Sequence, residues 1–168
     1  RPLGRVGRVL VMEYIPGNNA CDILNETLGA RIAILLADWF ADFHSAFGKG
    51  RITTVKSDAK LRNMIESRGV IYGVDFESAH RGDLIEDLGE ACSQILNTDP
   101  AFIDEKYELC DEFLRAYRSI HDVPLSGIGE ATAASMVEAM RFRPQHRDAL
   151  ARASEQLRKG VWPFSAYR

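Results

Sequence analysis

The chain has 168 residues, with 21 Lys and Arg against 24 Asp and Glu, a formal net charge of −3. That length suits one domain with a substantial core, or two small ones sharing a core. The charge excludes a strongly basic nucleic-acid coat and an acidic disordered tail, and 46% apolar residues exclude a disordered chain.

In chain order, Val9-Leu-Val-Met-Glu-Tyr-Ile15 is a β-prone run that Pro16-Gly17 stops, so a strand running into a turn is predicted. After Asn25 as N-cap, Leu28, Ile32, Leu35, Trp39, Phe43 and Phe47 recur at helical spacing, predicting one long buried helix that ends at Gly48. On that spacing Trp39, Phe40, Phe43 and Phe47 are core residues, and His44 beside them is a packed histidine rather than a ligand. This is the longest apolar stretch, and Asp38 and Asp42 break it well short of the ~18 residues a membrane span needs. No charged-then-apolar leader supports secretion.

Ile52 to Val55 is short and β-branched, and reads as strand. Asn63 to Glu66 and Val70 to Val74, joined through Ser67-Arg-Gly69, predict a β-hairpin whose turn needs the freedom of Gly69. Asp83 with Glu86 three residues on has the form of a capping box opening a helix, with Leu84, Leu88, Cys92, Ile95 and Leu96 inward. Asp99-Pro100 opens the next, with Ile103, Tyr107, Cys110, Leu114 and Tyr117 inward, and two shorter helices follow at about 129–142 and 145–159. Strand, helix, hairpin, then helices make an α+β domain dominated by helix.

Cys21, Cys92 and Cys110 are odd in number and form no CxxC, so neither a disulfide framework nor a zinc site is expected. They read as small buried hydrophobes in a reducing cytoplasm. Acidic residues outnumber basic ones 13 to 6 across residues 61–120, the pattern of solvated helix faces.

Two segments stand out, Lys56-Ser-Asp58-Ala-Lys60-Leu-Arg-Asn63 and Val74-Asp75-Phe76-Glu77. A hairpin between them brings Asn63 and Asp75 together at its open end, with Asp58 in the loop before it. Oxygen-bearing side chains converging there suit a hard cation such as Mg²⁺. Phosphoryl transfer needs such ligands together with a carboxylate to orient an attacking hydroxyl. Each Asp is also a common residue at turns and strand ends.

Asp58-x4-Asn63, followed 12 residues later by Asp75-Phe76-Glu77, resembles the catalytic and metal-binding loops of the protein-kinase-like superfamily. The Asp-Phe-Glu form and Gly82-Asp83-x3-Asp87-Leu88-Gly89 are similar to aminoglycoside and choline phosphotransferases. Met12-Glu13-Tyr14-Ile15 before Pro16-Gly17 resembles the hinge that holds adenine. The order agrees across residues 9 to about 97. The resemblance implies the C-terminal lobe of that fold without its N-terminal lobe, since no Gly-rich loop or strand lysine precedes Val9. It implies a hinge remnant at 1–17, the catalytic core at 18–98 and a helical subdomain at 99–168.

It also implies ATP and Mg²⁺ as cofactors, with Asp58 as catalytic base, Lys60 at the transferred phosphate and Asn63 and Asp75 on the metal. Backbone groups of Glu13 and Ile15 would hold adenine, and Asp87 would tie its helix to the catalytic loop. Lys56-Ser57 stand where the family usually has a scaffold histidine followed by Gly or Arg. The acceptor hydroxyl belongs to a small molecule or to a protein Ser/Thr. The alternative is a non-catalytic binding module, because a lone lobe exposes the apolar run around Val9 to Ile15 and invites an oligomer or another partner.

Leu125-Ser-Gly127-Ile128-Gly129-Glu-Ala131-Thr-Ala133-Ala134 resembles the hairpin of the helix-hairpin-helix family, which grips nucleic-acid backbones. Two glycines at a helix N-terminus would expose amides to phosphate. The preceding helix would pack against the following one across a tight turn. Glu130 stands where a basic residue is usual, and Arg141, Arg143, His146 and Arg147 are the nearby compensating charges.

Overall fold

The computed structural model describes residues 2–161 and 163–167; Arg1, Trp162 and Arg168 lie outside the described residues. The fold is α+β and mostly helical, with small antiparallel sheets. Pro2–Val6 (β1) and Val9–Met12 (β2) form a hairpin on their own. The strand predicted to Ile15 therefore ends at Met12, because its only hydrogen-bonding neighbour among the described residues is the short β1.

The long helix predicted from Asn25 is two helices, Ala20–Thr27 (α1) and Ala30–Phe47 (α2). Asn19 is the true cap, its side chain accepting from the Asp22 amide at 3.0 Å. Leu28 ends α1 in the left-handed region at φ 47°, its amide donating to the Leu24 carbonyl. Asn25 instead lies inside α1, where its Oδ1 accepts from the buried Lys106 Nζ at 2.7 Å. That burial pulls Lys106 down to about 8.

The inward stripe of α2 is also rotated from the predicted one. Ile32, Ala33, Leu36, Ala37, Phe40, Ala41 and His44 are buried, whereas Leu35, Trp39 and Phe43 are half-buried and Phe47 is exposed. Alanines face the core because α2 packs closely along Asp104–Ile120 (α4). Trp39 packs against the edge of that core and stacks on Phe43 at 5.1 Å, and Phe43 meets Phe76 at 5.7 Å.

Ile52–Val55 (β4) is a strand as predicted, and its partner is His80–Asp83 (β7). The predicted hairpin is Met64–Ser67 (β5) with Val70–Gly73 (β6), turning through Arg68 and Gly69 at φ 53° and 84°. Positive φ at both turn residues matches the twist of the flanking strands. Asn18–Asn19 (β3) adds to the other edge of β5, so the segment after Ile15 is fastened to the hairpin.

Ile85–Asn97 (α3) begins as the capping box predicts: Glu86 Oε1 accepts from the Asp83 amide at 3.0 Å, and Asp83 Oδ1 from the Ile85 amide at 3.1 Å. Asp99-Pro100 does not open the next helix. It is a cis peptide, and α4 starts four residues on at Asp104. Of the residues predicted inward, Ile103 and Tyr107 are half-buried and Cys110, Leu114 and Tyr117 are buried.

Ile128–Ala139 (α5) packs on α3 and on Arg147–Lys159 (α6) rather than across the turn onto α4, unlike a helix hairpin. Gly89 permits the α3–α5 approach, since a Cβ there would lie 2.7 Å from Ala131 Cβ. One continuous core runs from Ala20 to Tyr167 and takes in all three cysteines as buried free thiols. No helix among the described residues is long and apolar enough to cross a membrane.

Candidate functional site

The loop from Lys56 to Asn63 leaves β4 and enters the hairpin through the short 3-10 turn Leu61–Asn63. Its conformation is imposed from α3. The Asp87 carboxylate is fully buried and accepts from the Lys56 amide at 2.6 Å and the Ser57 amide at 2.8 Å. It also meets His44 Nε2 at 3.1 Å, while His44 Nδ1 lies 2.9 Å from the Tyr117 hydroxyl. A chain of hydrogen bonds thus runs from α4 through α2 and α3 into the loop, and it satisfies each member. Ser57 is held at φ 58°, in the left-handed region that non-glycine residues seldom occupy.

Beyond that anchor, Asp58 is the centre of the loop's charge. Its Oδ2 accepts from Asn63 Nδ2 at 2.7 Å, and its Oδ1 pairs with Lys60 Nζ at 2.7 Å. That hydrogen bond holds the Lys60 ammonium above its ordinary 10.5. One α3 turn beyond Asp87, Glu90 accepts from the Ala59 amide at 2.8 Å, and burial pushes its carboxyl above the ordinary 4.5.

Asp75 follows β6 at φ 63°, again left-handed. The Val74 amide donates to the Asn63 carbonyl at 2.9 Å, which closes the open end of the hairpin. Asn63 spends its amide nitrogen on Asp58, and among the described residues its Oδ1 has no protein donor. The exposed Asp75 carboxylate has no hydrogen-bond partner among them either. A carboxylate and an amide oxygen are the donor types that a hard cation takes. Among the described residues no group of three or more His, Cys, Asp and Glu side chains converges, so such an ion would rest on one carboxylate and one amide oxygen.

Asp58 and Lys60 also line the edge of a cleft of about 930 Å³ between this loop, α3 and the α5–α6 corner. Glu86, Glu90, Asp99 and Glu138 give that cleft carboxylates, and Arg143 is tied to the Asn97 carbonyl at 2.9 Å. Asn63, Asp75, Glu13 and Ile15 do not line it. Glu13 is exposed and Ile15 half-buried in the stretch between β2 and β3.

Sequence reasoning noted Lys56 only as a departure from the resembled family and missed what it does. It is fully buried, and its Nζ donates to the Asp58 carbonyl and to the Asp75 carbonyl, each at 2.7 Å. The ammonium also lies 5.3 Å from the Phe76 ring centre. Burial pulls its pKa below 10.5, against the attraction of Asp58, Asp75, Asp87 and Glu90. The one signal was its place two residues before Asp58, where the resembled family has histidine.

Of the glycines at the start of α5, the first serves the turn and the second packing. Gly127 turns the chain at φ 91°, and a Cβ on Gly129 would lie 3.2 Å from the Leu157 carbonyl. Glu130 pairs with Arg158 at 3.1 Å. No known protein-family model matches the chain, and no curated protein matches it significantly.

Proposed function

We propose that the protein is a phosphotransferase of the protein-kinase-like kind, acting through its C-terminal lobe on Mg-ATP and an acceptor hydroxyl. One observation carries the reading: Asp58, paired with Lys60 and Asn63, lines the cleft, while Asn63 and Asp75, whose side-chain oxygens accept from no donor among the described residues, flank the hairpin's open end. In this reading the base, Asp58, lines the cleft offered to the acceptor, and the residues taken as metal ligands, Asn63 and Asp75, stand outside it.

In this mechanism Asp58 orients the acceptor hydroxyl and takes its proton as the new O–P bond forms and the bond to the ADP oxygen breaks. Lys60 supplies positive charge beside the transferred phosphoryl group. Asn63 Oδ1 and the Asp75 carboxylate would hold Mg²⁺, which when bound neutralises phosphate charge. Glu13 and Ile15 backbone groups would hold adenine. Most of the rate would come from positioning and electrostatics.

The test is calorimetric titration of Mg-ATP into the protein and into Asp75→Asn, with turnover measured for Asp58→Ala. Metal-dependent binding lost in Asp75→Asn, and turnover reduced roughly 10²- to 10⁴-fold in Asp58→Ala, are expected. Full turnover in Asp58→Ala would remove the base assignment.

A second reading, a docking module without catalysis, is favoured by the β1–β2 hairpin. Leu3, Val6, Val9, Leu10, Val11, Met12 and Tyr14 are all exposed there. A monomer by light scattering, together with Mg-ATP binding, excludes self-pairing through that surface.

A further inference from the structure

The geometry points to Lys56 as a positioning residue whose buried ammonium, by holding the Asp58 and Asp75 carbonyls at once, sets the base and the metal ligand as a single unit. The inference deepens the phosphotransferase reading and rests on it.

An ammonium has three donors, whereas a neutral imidazole has one. Lysine can therefore bridge two carbonyls from one atom, and both Lys56 bonds measure 2.7 Å. Burying a cation is costly, and an apolar side chain would fill the same space without that cost. The two acceptors are peptide oxygens of different loops, one at the proposed base and one at the proposed metal ligand. The second belongs to a non-glycine residue at φ 63°, a conformation that persists only where its surroundings hold it. Asp87 fixes the Lys56 amide from α3, so the bridge hangs from a buried helix rather than from either loop. The Phe76 ring centre lies 5.3 Å from the ammonium, within cation–π range.

The experiment uses the full chain, as wild type, Lys56→Met and Lys56→Arg. Amide hydrogen exchange is followed in residues 57–63 and 74–79 without nucleotide. Affinity for Mg-ATP and for metal-free ATP is measured by calorimetry. In Lys56→Met, exchange should rise roughly ten- to hundredfold in both segments together, the weight of a charge-assisted hydrogen bond, while α2 and α3 stay protected. Mg-ATP affinity should fall by a similar factor with metal-free ATP affinity unchanged, and Lys56→Arg should restore part of both.

Exchange that stays at the wild-type level in either segment overturns the inference, as does an equal loss of affinity with and without metal. If Lys56→Met does not fold, Lys56→Gln is measured against the same criteria. A wild-type chain that binds no Mg-ATP sinks the phosphotransferase reading instead, and the exchange data alone then decide whether Lys56 couples the loops.

Discussion

The β1–β2 hairpin and the Lys56–Asn63 loop make opposite use of short extended segments. Every residue of the two hairpin strands is exposed, and among the described residues their ladder pairs with no further strand. The loop has no ladder of its own, yet α3 fixes it through Asp87, Glu90 and the Lys56 bridge. Among the described residues no buried side-chain nitrogen or oxygen lacks a partner. Regular hydrogen bonding is thus a poor guide to how firmly a segment of this molecule is tied to its core. Connection to the core decides it, because an isolated two-stranded hairpin is marginal in water while a satisfied buried network is costly to open.

That contrast is broken most severely at Asp87. Asp87→Ala strands the buried Lys56 amide and His44 Nε2 and frees the Ser57 amide, and should cost about 3–5 kcal/mol in urea unfolding. Loss of under about 1 kcal/mol would show that the loop does not depend on α3.

Glu90 sharpens the comparison through pH. Burial raises its folded pKa above 4.5, so the folded state holds the proton more tightly than the unfolded chain. The stability this confers is present below the unfolded value and is lost as pH rises through the folded one. Glu90→Gln keeps an acceptor for the Ala59 amide and should be more stable than wild type at pH 7, the advantage vanishing near pH 4. Thermal unfolding at the two pH values checks the sign.

The smallest effect belongs to the hairpin. Leu10→Glu, at an exposed position of β2, should leave unfolding free energy within about 0.5 kcal/mol of wild type. A larger loss would mean that β2 is covered by something in solution.

Elements governed by neighbours in sequence were legible. The β5–β6 turn needs only Arg68 and Gly69, and the start of α3 only Asp83 and Glu86, since both motifs close hydrogen bonds over three residues or fewer. The phase of α2 was not legible, because apolar residues lie on two of its faces. The conspicuous rings of Trp39 and Phe43 are only half-buried and that of Phe47 is exposed, and the choice between faces came from how closely α4 approaches. Asn25 was misread for the same reason: a cap is a local pattern, but the acceptor of a buried lysine 81 positions away is not. At the candidate site, the spacing from Asp58 to Asn63 and Asp75 was legible; the cleft beside Asp58 was not, because α5 and the α5–α6 corner build its far wall.

By itself the sequence determined a mostly helical α+β chain, its central hairpin, the cap of α3 and the polar residues worth attention. Those follow from periodicity and short-range hydrogen bonding, which act within a few residues. Only the tertiary structure decided which face of α2 is buried, that Asp87 anchors the loop, and that Lys56 bridges Asp58 to Asp75. Each of these is a contact between segments distant in sequence, and a buried charge takes its meaning from the partners the fold brings to it.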